Sequence, residues 1–459
     1  MKKKYKFLTI LVGIFLTIYF SINYFIGKEN YILKSFKGLF SSEQKYLVKK
    51  IFFPHKVVSY LEREKSALEV YYTNQELDFK KSGKDILVGK MKDVELSNGY
   101  NLSKYNLIGG FYTGIKNKFP GSGYLDFHSD SLIILSSRGV LAYTKNIDDL
   151  NFKQIKNNIN DFIGLEEFVK NSALSLKDLT IHKNKIFISY TEEIKPNCWN
   201  TSVVSGIMDY EYIKFKKFFS SKDCVHPSKN IEKLVNARQS GGRIINFDEN
   251  NILLSVGDYR SRYLAQDKDS INGKIIKINL NNSVHEIFSM GHRNPQGLLL
   301  DMGNKFILET EHGPMGGDEI NLIEINNTGI PNYGWAIVSA GKHYTGKGKD
   351  KDKFKKLNKL RYEKYPLYKS HAEHGFIEPL HSFVPSIGIS EISQIGKNKY
   401  VTSALIDKSL YFFELNEKKK ITNLSRVEIF ERIRDIKFKE NKLYLFLEDT
   451  ASIGIININ

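Results

Sequence analysis

Apolar and polar positions divide this chain into three stretches of different character. The first is an uncharged, mostly apolar run of about 20 residues, Phe7 to Ile26, behind Lys2, Lys3, Lys4 and Lys6. At about 1.5 Å per residue such a run matches a hydrocarbon core of about 30 Å, which predicts a single transmembrane helix. Its end, "SINYFIGKEN", places aromatics where a signal peptidase needs small residues, so an uncleaved anchor is expected. The basic flank stays cytoplasmic, which puts the rest of the chain on the periplasmic or extracellular side.

The second stretch, 28–105, carries helical spacing. Ser41 and Gln44 form a possible capping box, Leu47, Val48, Ile51 and Phe52 follow on one face until Pro54, and Val57 to Tyr72 predicts a second helix. This reads as a short juxtamembrane stalk.

From residue 106 the period drops toward that of strands, and one unit recurs: an apolar strand, a polar turn and a more apolar strand. The copies are "GYLDFHSDSLIILSS" at 123, "KDLTIHKNKIFISY" at 177, "GRIINFDENNILLSV" at 242, "QGLLLDMGNKFILET" at 296, "SEISQIGKNKYVTSA" at 390 and "RIRDIKFKENKLYLFL" at 432. Six such units predict an all-β fold, a six-bladed β-propeller of four-stranded antiparallel sheets, with a β-sandwich as the competing architecture. Polar residues cluster at the tips of the first two strands of each unit, where a ring would bring them to one end of its channel. The expected domains are therefore 1–27, flank and anchor, 28–105, stalk, and 106–459, propeller.

With 459 residues, 41% hydrophobic and 26% charged, the chain has the composition of a globular protein. The formal charge of +17 suggests an anionic partner, but its distribution does not. Between Lys342 and Lys369 ten lysines and Arg361 face only Asp350, Asp352 and Glu363, so about half of the excess lies in one solvated insertion. No aromatics interleave with that charge on a sheet face, and no nucleic-acid partner is expected. Cys198 and Cys224 read as a disulfide if the chain is exported, or else as two independent thiols.

Three clusters of chemistry fall at strand tips: "ARQSGGR" (237–243) with "VGDYRSRYLAQD" (256–267), "GHRNPQG" (291–297) with "TEHGPMGGDE" (310–319), and "ERIRDI" (431–436). Arg432 and Arg434, two apart on a strand, point to one side and make a clamp for carboxylates. The Gly313-Pro314 turn offers carbonyls to a hard cation such as Ca²⁺, with Glu311, Asp318 and Glu319 close by. Arg293 could hold negative charge developing on an oxygen and Asn294 could orient a polar ring. Taken singly, Gly-Pro turns and Arg-Asp pairs are ordinary structural features; the combination points to an anionic ligand with a metal.

Together with "NYGW" (332–335) and "FVPSIGIS" (383–390), these motifs make residues 110–455 resemble the glucose/sorbosone dehydrogenase family, soluble aldose dehydrogenases that use pyrroloquinoline quinone (PQQ). The resemblance implies a propeller with the quinone flat at the channel mouth, Arg293 and Asn294 on its quinone oxygens, Arg432 and Arg434 on its carboxylates, and Asp258 beside the substrate. It further implies a catalytic Ca²⁺ on the carbonyls of Gly313 and Pro314, and a structural Ca²⁺ at Glu319 and the carbonyl of Tyr333. Such an oxidoreductase takes a sugar as substrate, converts its C1 hydroxyl to a lactone with a histidine as general base, and passes electrons to a respiratory acceptor.

Two positions depart from the pattern. Gln239 stands at the position of the base, and an amide has no useful basicity near neutral pH. Ile406 stands where a cofactor-binding lysine is expected, with Lys408 two residues on. His292 and His312 are the replacement bases nearest in sequence, and His371 with His374, at HxxH spacing, reads as a surface pair. The two expectations are thus a membrane-anchored quinoprotein sugar dehydrogenase and, as the alternative, a catalytically inactive propeller that binds carbohydrate or protein.

Overall fold

The computed structural model describes residues 54–111, 122–146, 151–171, 173–229, 235–344 and 351–458. The expected membrane helix and the helix behind Ser41 lie outside these residues, and among the described residues no helix is long and apolar enough to cross a membrane. The chain divides into two compact units, Met1–Leu68 and Glu69–Asn459.

A long helix runs from Pro54 to Ser82. Proline suits its first turn, where a backbone N–H would have no partner, and Gly83, at φ 63°, ends it in the left-handed conformation. The helix expected over 57–72 is thus real but ten residues longer at its C-terminal end. Within the second unit its last turns bury Thr73 and Glu76, and Lys80 Nζ donates to Asn157 O at 2.9 Å and Asn160 Oδ1 at 2.7 Å.

The second unit is all-β, and each of the six repeats read from the sequence is a pair of adjacent antiparallel strands. Blade 1 runs through Gly123–His128, Ser131–Ser136, Leu141–Thr144 and Asn151–Asn157. Blade 2 has Leu176–His182, Lys185–Lys195, Cys198–Ile207 and Lys216–Phe219, and blade 3 has Gly241–Asp248, Asn251–Val256, Lys274–Asn279 and His285–Met290. Blade 4 comprises Pro295–Asp301, Phe306–Glu311, Asp318–Glu324 and, after the basic insertion, His381–Phe383. Blade 5 comprises Ile389–Gly396, Lys399–Ala404, Ser409–Leu415 and Ile421–Glu428.

Blade 6 takes three strands from the C-terminus, Ile433–Lys439, Lys442–Leu447 and Ser452–Asn457, and its fourth, Asn101–Ile108, from the other end of the unit. Ile453 pairs with Tyr105 and Ile455 with Ser103 along that seam. The first strands of successive blades pack side by side, and that of blade 6 returns to that of blade 1. The result is a nearly closed ring of sheets, consistent with a β-propeller.

The segment assigned to a stalk therefore needs correction. Ile86–Val88, Lys92–Glu95 and Asn101–Ile108 are strands of the ring, and the expected boundary at 105/106 falls inside the closing strand. Asn101–Ile108 alternates weakly in hydrophobicity, burying Leu102, Tyr105 and Leu107, and is paired with Ser452–Asn457 on one edge and with Ile86–Val88 and Lys92–Glu95 on the other.

Apolar side chains fill the space between blades, as in the cluster of Ile133, Leu135, Leu179, Ile188 and Val204. The channel itself is charged. Arg243, on the first strand of blade 3, lies 2.9 Å from Asp178, 2.6 Å from Glu391 and 3.0 Å from Asp435, on the first strands of blades 2, 5 and 6. Cys198 and Cys224 form a disulfide, with Cα atoms 5.3 Å apart.

Candidate functional site

At one end of the channel the first strands open onto a cavity of about 380 Å³. Its wall carries Lys177, Arg238, Arg243, Arg432 and Arg434 against one carboxylate, Glu448. Arg243 is already neutralised by the acids of the channel, so the unmatched cations are those of blades 2, 3 and 6.

Arg432 and Arg434 do point to one side, as their spacing predicts. They converge on Glu448, which follows the second strand of blade 6: Arg432 Nε donates to Oε2 at 2.9 Å and Arg434 Nε to Oε1 at 2.8 Å. Ser122 Oγ donates to the same carboxylate. Burial pushes the Glu448 carboxyl up, yet Arg434 and Arg432 outweigh it and hold it down at about 2.

Lys177 enters from blade 2. Its Nζ donates to the carbonyl of Ala173 at 2.6 Å, and Gly242, at φ 112°, passes so close that a Cβ there would lie 2.3 Å from Lys177 Cβ. Burial, then repulsion from Arg434, lowers this amine to about 7.

Gln239, Asp258, Arg293 and Asn294 are brought together beneath this mouth. The chain at Gln239 runs against Gly257, where a Cβ would meet the Gln239 carbonyl at 2.1 Å; glycine is required for that approach. Set between an acid and a guanidinium, the Gln239 amide is assigned the orientation that satisfies both, its nitrogen donating to Asp258 Oδ1 at 2.9 Å and its oxygen accepting from Arg293 Nη2 at 3.0 Å. Asp258 also accepts from Trp335 Nε1 at 2.8 Å and from the Arg260 N–H at 2.7 Å. Arg293 donates to the His312 carbonyl at 2.7 Å and lies over the Trp335 ring. Asn294 accepts from the Gly241 N–H at 3.1 Å, and its Nδ2 lies 3.2 Å from His312 Nδ1.

Arg432 and Arg434 line the cavity; Asp258, Arg293 and Asn294 do not, being 0%, 6% and 1% exposed. The expected single cavity for all five is thus corrected to a basic wall above a buried polar floor, joined through His312 and Gly241. Among the proposed replacement bases, His292 is wholly buried and away from the mouth. His312 lines it, but burial lowers its pKa and its Nδ1 faces the Asn294 amide donor. Lys408 does not take the place left by Ile406: its Nζ is bound to Asp449 at 2.6 Å, while Ile406 stands 68% exposed. His371 is buried rather than on the surface, 3.8 Å from Glu319.

Gly313, Glu319 and Tyr333 meet around a second cavity of about 10 Å³, shared with Glu311 and Arg293. That is about the volume one water or ion occupies. Pro314 lies outside it, its carbonyl accepting from Ser386 Oγ at 3.3 Å. Burial, with Glu311 and Asp318 as neighbours, raises the Glu319 carboxyl well above the ordinary range.

Sequence reasoning missed Lys177 and Glu448, charged residues at the tips of repeat strands, "SLKDL" and "LFLED", where the strand pattern calls for nothing charged; Arg238 lies within the "ARQSGGR" stretch, in a short 3-10 turn ahead of the first strand of blade 3, but its place on the wall was not foreseen. The signal was position within the repeat rather than a motif.

A family model described as Glucose / Sorbosone dehydrogenase matches residues 152–456. An uncharacterized protein of Synechocystis is 27% identical over 227 residues, 43% of this chain, and the chain spans about half of that relative's length, 50%. The aldose sugar dehydrogenase YliI of Escherichia coli is 24% identical over 297 residues, 60% of this chain and 73% of the relative. Among solved structures, the PQQ-bound aldose sugar dehydrogenase of Streptomyces coelicolor superposes with a TM-score of 0.55 at 15% identity, covering 82% of this chain and 98% of that one. That likeness concerns the fold.

Proposed function

This chain belongs to the glucose/sorbosone dehydrogenase family, and from that premise we propose that it is a membrane-anchored, PQQ-dependent oxidoreductase acting on a sugar. The observation that carries the reading is the charge of the mouth: Lys177, Arg238, Arg432 and Arg434 face one another with only Glu448 between them. An anionic, flat ligand is the partner such a wall lacks, and PQQ, with its carboxylates, fits that demand.

When bound, the quinone supplies a two-electron acceptor for hydride. Arg432 and Arg434 would take its carboxylates, exchanging Glu448 for them, and Arg293 and Asn294 would face its ring oxygens from the floor. The carbonyls of Gly313 and Pro314 suit the Ca²⁺ that accompanies the cofactor, and Glu319 with the Tyr333 carbonyl suits a structural Ca²⁺ at the small cavity. Oxidising a C1 hydroxyl to a lactone removes a hydride and a proton, and the proton needs a base. Gln239 cannot serve. The side chain of the wall that combines a nitrogen lone pair with a pKa near neutrality is Lys177, lowered to about 7 by burial.

The Phe7–Ile26 run supports an anchor that holds the ring on the periplasmic or extracellular side, next to a respiratory electron acceptor. The test is direct. Purified protein is mixed with PQQ and Ca²⁺ and passed through gel filtration; cofactor absorbance co-eluting with protein, and dye reduction on adding aldoses, support the proposal. Protein that elutes without the quinone overturns it.

One observation favours the alternative, an inactive binding module: Glu448 already occupies both arginines, and an amide sits at the base position. That reading gains if glycans bind without turnover and Gln239→His stays inert with aldoses.

A further inference from the structure

Inside blade 4, away from the basic mouth, His292, Glu309 and Glu311 gather their ligand atoms within 4.8 Å of one another. We propose that this cluster is a structural site for a divalent transition-metal ion of the zinc class, distinct from the calcium positions. Glu311 also borders the small cavity at Glu319 and Tyr333, but neither His292 nor Glu309 does, and an imidazole nitrogen is a ligand that Ca²⁺ seldom takes.

The spacing is that of metal ligands. His292 Nδ1 lies 3.4 Å from Glu311 Oε1, a long hydrogen bond, and 3.8 Å from Glu309 Oε2, beyond hydrogen-bonding distance. Zinc with ligands at about 2.0–2.2 Å in a tetrahedron sets them about 3.3–3.5 Å apart. The ion would enter with Glu309 closing by a few tenths of an ångström.

The groups around the three are placed to orient them. Ser289 Oγ lies 2.8 Å from His292 Nε2, which leaves Nδ1 turned to the carboxylates, and the Tyr333 ring stacks on the imidazole. The backbone N–H of Arg293 and that of Asn294 hold Glu311 Oε2. Asn321 Nδ2 donates to Glu309 Oε2 at 2.9 Å and to Glu311 Oε1 at 3.3 Å. Such outer partners fix the ligands of a metal centre.

Two further facts ask for a cation. Glu309 Oε1, on a side chain with no exposure, has no hydrogen-bond partner, and neither has the equally buried Asn321 Oδ1. Among the described residues no lysine or arginine side chain is ion-paired with Glu309, Glu311 or Glu319. A dication with Glu309, Glu311 and a neutral imidazole closes the charge balance, whereas two buried carboxylates side by side without one must share protons.

The test uses the full-length protein without quinone, so its outcome is independent of the cofactor reading. Protein stripped with chelator is loaded in turn with Zn²⁺, Mn²⁺ or Ca²⁺, and the metal that survives gel filtration is counted by mass spectrometry. The expected result is one equivalent of Zn²⁺ or Mn²⁺ in the wild type, bound at least a hundredfold more weakly by Glu309→Gln, with Ca²⁺ loading unchanged. Glu309→Gln keeps the side-chain shape and the Asn321 hydrogen bond, and a cooperative thermal transition confirms that it folds. His292→Gln should lose the same equivalent. Wild type that retains neither Zn²⁺ nor Mn²⁺, or a Glu309→Gln variant that retains as much as wild type, overturns the site; in either case the carboxylates share a proton instead.

Discussion

Gln239 donates its side-chain amide hydrogen to Asp258 Oδ1 at 2.9 Å, deep beneath the mouth of the ring. The same amide accepts from Arg293, so one neutral side chain bridges the carboxylate and the guanidinium of two residues whose backbones are already joined by the Asp258 N–H and the Arg293 carbonyl at 2.9 Å. Asp258, whose carboxyl burial raises despite Arg293, keeps all its partners only while Gln239 is present.

Replacing Gln239 with leucine is therefore expected to cost about 1–3 kcal/mol, the range for leaving buried polar groups unsatisfied. Urea denaturation followed by fluorescence measures it. A loss below about 0.5 kcal/mol would mean that water replaces the amide.

Glu448 competes with any anionic ligand for Arg432 and Arg434. Glu448→Gln should tighten quinone binding about tenfold or more, and Arg434→Ala should weaken it by about 10–100-fold, as charge-assisted hydrogen bonds worth about 1.5–3 kcal/mol are gained or lost. Equilibrium titration of the two variants distinguishes this from a structural role, which would weaken binding in both.

Lys177 gives a pH signature. Its folded pKa, about 7, lies below the ordinary lysine value of 10.5, so the unfolded chain binds the proton more tightly. Stability contributed by this group is absent below pH 7 and grows as pH rises toward 10. Lys177→Met should flatten that part of the curve of urea midpoint against pH. If Lys177 is also the base, kcat at neutral pH should fall by about 10²–10⁴.

Glu391, in the channel, carries the opposite sign. Burial raises Glu391 to about 8, so its contribution is present at acid pH and is lost as pH climbs from about 4.5 through 8. Glu391→Gln should match wild type near pH 5 and exceed it above pH 8. Arg243→Met, which takes the guanidinium from buried Asp178 and Asp435 and from Glu391 beside them, should cost about 3–5 kcal/mol at neutral pH. Thermal melts across pH check both.

Much of this was legible in the chain. The six strand pairs could be read because a strand buried on both faces, such as Ser131–Ser136 or Phe306–Glu311, leaves an unmistakable apolar block beside a polar turn. The outer strands could not, since Lys216–Phe219 and Asn101–Ile108 are short or half exposed and gain their register from a neighbour. Arg432 and Arg434 were found from their two-residue spacing. Glu448 was not, because it meets them only when two strands fold back on each other. The floor residues were identified, but not their depth: the bonds from Asp258 to Trp335 and from Gln239 to Arg293 join segments far apart in sequence.

The seam between Asn101–Ile108 and Ser452–Asn457 has a consequence for how the molecule comes into being. During synthesis the early strand can pair at once with Ile86–Val88 and Lys92–Glu95, but its other edge stays open while hundreds of residues and five sheets form behind it. Completion of the ring thus awaits Ser452–Asn457, and a chain cut short before Ser452 would present two open edges to its neighbours.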